Sequence, residues 1–256
     1  LAALIVFLGI CLGNILFHWG IIQNNPELAA LGLRTAIYAI MIKFVVAGAF
    51  LAVVFTNNIL PERGIKKIQF NPAIEFLSIL SIAFFILSDL LAMASEWRLT
   101  ASLSALLIHS ARFARWHTWQ IRTYPIILIM HLAYLWLLAT FALRGLYDYN
   151  QMIADHLWLH AFTAGALGLM GISFMTRVVL RHTGRPLQPS PLLVIGYGLI
   201  FIAAILRIWA YLFEFNLQLM IFSAVLWTIP FTVYLLLYSH MLWQPSLEKR
   251  KLPRNG

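Results

Sequence analysis

Charge is what this chain has least of. Asp, Glu, Lys and Arg together make up 11% of its 256 residues, against about 25% in an ordinary soluble domain. A single cysteine, Cys11, excludes an intrachain disulfide and any CxxC pair. CxxCH, a Walker loop and HExxH are all missing, which excludes covalent haem attachment, P-loop nucleotide chemistry and a zincin-type centre. The runs of ~9–11 alternating residues that build a membrane barrel are missing too. There is no basic n-region followed by a cleavage site, so no secretory signal is read. Residue 1 is Leu inside an apolar run, and the expectation is a fragment whose N-terminal part is missing.

What is present is apolar surface: 62% hydrophobic residues and a mean hydropathy of +0.84. This composition implies an all-α polytopic transmembrane helix bundle in a lipid bilayer. About eight spans emerge near the ~20 residues needed to cross the hydrocarbon core. They cover 1–18, 31–55, 72–92, 99–113, 124–143, 156–176, 191–211 and 218–242, in one domain over 1–256 with a basic tail at 243–256. The short fourth span ends in a basic aromatic run.

The net charge of +9 would suit nucleic acid, but its distribution argues for membrane topology. Basic residues gather at alternate connections: Arg63, Lys66 and Lys67; Arg112, Arg115 and Arg122; Arg177, Arg181 and Arg185; then Lys249, Arg250, Lys251 and Arg254. The other connections hold Arg98 and Arg144 beside Glu27, Glu96, Asp148, Asp155 and Glu214. The positive-inside rule then puts both termini in the cytoplasm, and no nucleic-acid partner is needed.

Sidedness sorts the histidines. His18, His156 and His160 fall at the outer surface, and His109, His117, His182 and His240 near the inner one. His131 lies inside the fifth span, roughly 10 Å from its start at 1.5 Å per residue. His156 and His160, four apart, share one helical face. Imidazole is the commonest metal ligand and an axial ligand for haem iron, and Asp155 and Asp148 could orient such a ring. The alternative is that these histidines are interfacial anchors. His131, with Tyr134 and Trp136 nearby, is read equally as a haem ligand or as a core histidine with a satisfied N–H. Lys43, Glu75, Asp89 and Arg207 also lie in apolar segments, where a charge is costly unless paired or facing a polar cavity. Interhelical ion pairs are the favoured reading, and contact with an anionic cofactor edge or a proton route the other.

The helix opened by His160 carries Gly165, Gly168 and Gly171 at spacings of three, a smooth face for close helix packing or room for a planar cofactor. It ends in His182-Thr183-Gly184-Arg185-Pro186, a helix stop and tight turn.

Three stretches resemble the NnrS family. Arg177 through Leu187 is close to that family's RVxLGHTGRPL run. RWHTWQIRTYPIILIMHLAYLW, from Arg115 to Trp136, is similar to its RW…T…P…LH..Y.W pattern. Asn14-Ile15-Leu16-Phe17-His18 is similar to an NxxFH element, and His160 falls where the family has a histidine before a glycine-bearing helix. The resemblance covers most of the chain. It implies a multi-pass protein of the bacterial inner membrane that binds haem b, copper or both and acts in the response to nitric oxide or in denitrification.

Carried over, the resemblance makes His131, His160, His18 and His156 the cofactor-binding candidates and His182 and His160 the metal candidates. Arg177, Arg185, Tyr134 and Lys43 are the supporting residues. Family members have about twelve spans and a tryptophan–histidine–alanine–histidine–glutamate–methionine element near the N-terminus, which this chain lacks. Their GRxIP.FT stretch is here AFLAVVFT, from Ala49 to Thr56. Two other functions compete: a cofactor-free structural subunit held with other membrane-protein subunits, and, ranked last, a transporter, since no symmetric pair of broken helices is evident.

Overall fold

The computed structural model describes residues 2–212 and 215–247. Glu214 and the basic run from Lys249 to Arg254 lie outside them. Among the described residues there is no strand, and the chain forms α1 (Ala2–Ile22), α2 (Pro26–Lys43), α3 (Ala49–Ile59), α4 (Pro72–Leu90), α5 (Ser95–Ala114), α6 (Pro125–Asn150), α7 (Leu157–His160), α8 (Gly168–His182), α9 (Pro191–Leu212) and α10 (Leu217–Trp243). Short π-helical turns at Phe44–Gly48 and Ala161–Leu167 join α2 to α3 and α7 to α8. Two continuous helices result, Pro26–Arg63 and Leu157–His182.

Seven of these helices are long and apolar enough to cross a bilayer. The eighth expected span is the helix α5, which is amphipathic. Its inward face sets Ser102, His109 and Arg112 beside Ala101 and Ala105. The helices α2–α3, α6 and α7–α8 run several residues past the sequence-drawn spans. At 38 residues the first of these is about 57 Å long, well beyond the ~30 Å hydrocarbon core.

The chain divides into two compact units. The first comprises Leu1–His117 and Phe141–Asp155, and the second Thr118–Thr140 and His156–Gly256.

In the first unit α1 and α2 form a hairpin. Asn24 takes a left-handed φ of 50°, and the Asn25 carboxamide caps α2 by accepting from Leu28 N at 3.0 Å, with Pro26 at the first helical position. The two helices meet backbone to backbone: a Cβ on Gly32 would lie 2.3 Å from Phe17 N, and one on Gly13 2.6 Å from Ala36 N. Such small-residue seams hold apolar helices together where no hydrophobic force distinguishes partner from lipid. At one end of this unit, Arg144 donates to Asp89, Asp148 and Asp155 at 2.7, 2.9 and 3.0 Å. Arg98 adds a second bond to Asp148, and Tyr38 donates to Asp89 at 2.7 Å. Elsewhere Arg112 grips both oxygens of Glu75. The expected ion pairing of Glu75 and Asp89 is therefore observed. Lys43 differs: it is exposed, and it makes no ion pair among the described residues.

In the second unit α7–α8, α9, α10 and the first part of α6 pack together. Ser173 donates to Ile126 O at 2.9 Å, tying α8 to α6. The HTGRP turn forms as expected, with Gly184 at a φ of 73°. Its role emerges from what it touches. Thr183 O accepts from Leu247 N at 3.0 Å, and Arg185 reaches Gln244 at 3.3 Å. The turn thus docks the segment that follows α10.

Candidate functional site

The site is built on the π turn that follows His160. A π turn adds one residue to the helical register and swings everything beyond it by about 100°. Here the Gly168 N–H reaches the carbonyls of Thr163 and Gly165, passing over Ala164, the acceptor an α-turn would have used. The indole of Trp227, on α10, fills that gap with a 3.1 Å bond to Ala164 O. The first unit repeats the device. Ala49 N–H bonds to Phe44 O, passing over Val45 O, which takes a 3.0 Å bond from the buried guanidinium of Arg112.

Beside the second π turn is a cavity of about 520 Å³. Its polar wall is His160 and Arg207, its aromatic wall Trp227 and Phe231, and its floor the helix bearing Gly168 and Gly171. The three glycines serve two purposes. A Cβ at Gly165 would lie 2.5 Å from the Trp136 ring and one at Gly168 2.8 Å from Trp227 Nε1, so both are close-packing positions. At Gly171 a Cβ meets nothing within 4 Å, so that position leaves open space. Arg207 donates to Ser223 Oγ at 3.1 Å and makes no ion pair among the described residues.

The His156–His160 pair lies on one face, as its spacing requires, with ring centroids 5.4 Å apart. Tyr211 closes the group. His160 stacks on it at 5.3 Å and His156 meets it edge-on at 4.5 Å. Among the described residues, His156 Nε2 is buried with no hydrogen-bond partner. Asp148 and Asp155 are both engaged by Arg144 in the first unit.

The other anticipated residues lie elsewhere. His131 is fully buried in α6, its Nδ1 sharing a 2.9 Å hydrogen bond with Thr118 Oγ1. Tyr134 is equally buried one turn along. His18 is exposed near the end of α1 in the first unit, against Phe17. His182 is exposed at the last position of α8, away from the cavity lining, and Arg177 and Arg185 belong to that same helix end and turn. Among the described residues no three His, Cys, Asp or Glu side chains gather as a metal cluster. Sequence reasoning missed Trp227 and Phe231. Nothing in an apolar run marks which aromatic faces a cavity.

An all-helical chain with seven helices long and apolar enough to cross a bilayer has the form of a polytopic membrane protein. The sequence model of the family described as NnrS protein matches residues 1–246, and the chain belongs to the NnrS family. Comparison with curated proteins and with solved structures gave no match.

Proposed function

We propose that this protein binds haem b in the cavity beside His160 and acts in the handling of nitric oxide. The observation that carries the reading is the pairing of His160 and Arg207 on one wall of a 520 Å³ cavity. A neutral imidazole is a haem axial ligand, and a cation held by an uncharged partner suits the carboxylate edge of such a macrocycle. Trp227 and Phe231 supply the flat apolar surround, and Gly171 leaves room. His131 fits less well, since it is fully buried and does not line this cavity. Copper would need donors beyond the His156–His160 pair, because the described residues assemble no three-ligand set.

When bound, haem iron would supply the site that takes nitric oxide. The chain's part would be to hold the ring through His160, neutralise its acidic edge through Arg207 and limit water through the aromatic wall. The alternation of basic connections supports both termini facing the cytoplasm of a bacterial inner membrane, provided that α5 also spans. A second reading, a cofactor-free subunit of a larger membrane assembly, is favoured by exposed Lys43, since a lysine on the outside of an apolar helix calls for a polar partner.

The test is a reduced-minus-oxidised optical spectrum of the detergent-purified chain with an elemental count of iron and copper. A Soret band that is lost in His160→Ala and kept in His18→Ala is expected. A flat Soret region with no iron would overturn the haem reading and leave the subunit reading standing.

A further inference from the structure

Two basic connections far apart in sequence meet in the first unit. One is the stretch after α3, where Arg63 ends the continuous helix and Lys66 and Lys67 lie on the extended segment beyond it. The other is the end of α5, carrying Arg112 and Arg115. Arg115 Nη2 donates to Gln69 O at 2.8 Å, and a cavity of about 180 Å³ opens between the two strands of chain. Asn57 shapes its edge by bonding both the N–H and the carbonyl of Ile68, at 2.8 and 3.2 Å, so the segment is held out as a rim.

The charges in this cavity are unevenly matched. Glu75 is taken by Arg112, whose third donor goes to Val45 O. Arg115 bonds only a carbonyl and makes no ion pair among the described residues, and Lys66 and Lys67 stand exposed nearby in the chain. The remaining wall is apolar: Val53, Val54 and Trp116 inside, Phe50 and Phe70 at the mouth, 61% and 77% exposed. From Phe50 the exposed face of the long helix continues to Val46, 42% exposed, one turn deeper in the span.

A spare guanidinium at the end of an apolar strip matches an anion that carries a hydrocarbon chain. We propose that this cavity binds the headgroup phosphate of an anionic phospholipid, with one acyl chain lying along Phe50 and Val46. The cavity is too small for a whole lipid and suits a phosphodiester. Arg115 offers the charge-assisted hydrogen bonds that fix it. A free phosphate would satisfy Arg115 equally but would make no use of the apolar strip.

The experiment is native mass spectrometry of the delipidated full chain, titrated with phosphatidylglycerol or phosphatidylcholine at matched acyl length. One tightly retained phosphatidylglycerol is expected, with phosphatidylcholine weaker. Arg115→Gln should weaken it about fivefold, the worth of one basic contact at a membrane surface. Val54→Trp, which fills the cavity and leaves every charge in place, should weaken it as well, provided that the helical circular dichroism is unchanged. Arg181→Gln, in the second unit, should leave it alone. Equal loss in all three variants, or none in Arg115→Gln, would mean diffuse attraction and overturn the site. Full displacement by millimolar inorganic phosphate would overturn the lipid assignment in favour of a free anion.

Discussion

Trp227 donates its indole N–H to Ala164 O across 3.1 Å, and Ala164 O is the carbonyl that Gly168 N–H passes over in the π turn. A helix that gains a residue leaves its ladder out of register at one carbonyl. Away from water, that group costs about 1–3 kcal/mol if left bare. Trp227 stabilises the π turn, and the π turn decides where His160 lies relative to the glycine helix. Trp227→Phe keeps most of the ring and removes the donor. It should lower thermal stability in detergent by about 1–3 kcal/mol, and a haem-loaded sample should lose Soret intensity ahead of helical signal. Unchanged stability would show that the π turn does not depend on this bond.

Gly165 and Gly171 should separate cleanly under substitution. Gly165→Ala drives a Cβ to 2.5 Å from the Trp136 ring, and overpacking of that kind costs about 1–3 kcal/mol. Gly171→Ala meets open space and should leave the melting temperature within error. Gly171→Phe should fill the cavity, sparing the fold while reducing retained haem. Thermal melts read alongside the haem-to-protein absorbance ratio would check the order.

Arg112 and Glu75 form a partly buried pair whose guanidinium also caps Val45 O. Removal of one partner from a buried pair costs about 3–5 kcal/mol, largely from the charge left behind. Arg112→Met should therefore be severe, and the double variant Arg112→Met with Glu75→Gln should recover part of the loss. It should not recover all, because Val45 O stays uncapped. A double-mutant cycle on unfolding in detergent measures the coupling.

Arg144 serves three carboxylates of unequal burial: the side chains of Asp148 and Asp89 are 0% and 6% exposed, and that of Asp155 is 47% exposed. Asp155→Asn should change stability by less than about 1 kcal/mol, as for an exposed pair. Asp148→Asn should cost several times more, since Arg98 and Arg144 both lose charge pairing. Equal effects at the two positions would contradict the burial order. Melting temperatures of the two variants, compared in the same detergent, are sufficient.

Gly184 adopts a φ of 73°, and a Cβ there would also sit 2.5 Å from Leu247 O. Gly184→Ala combines roughly 1–2 kcal/mol of left-handed strain with a clash against the docked segment. Faster hydrogen exchange at the Leu247 amide, with the transmembrane helices unaffected, is the expected result. An unchanged Leu247 amide would show that the turn does not hold that segment.

The sequence by itself determined the class of this protein. An apolar length repeated at bilayer scale leaves the helix as the structure that satisfies its own backbone. Gly184 and Pro186 marked a helix stop, because φ preferences are local. The shared face of His156 and His160 followed from 3.6 residues per turn. Tertiary structure decided the rest. Whether Asp148 would orient a histidine or bind Arg144, and whether Gly171 would pack or stay open, depends on residues distant in the chain. The two π turns left no mark in the sequence, since each is stabilised by a donor from another helix, Arg112 or Trp227, which neither periodicity nor propensity can place.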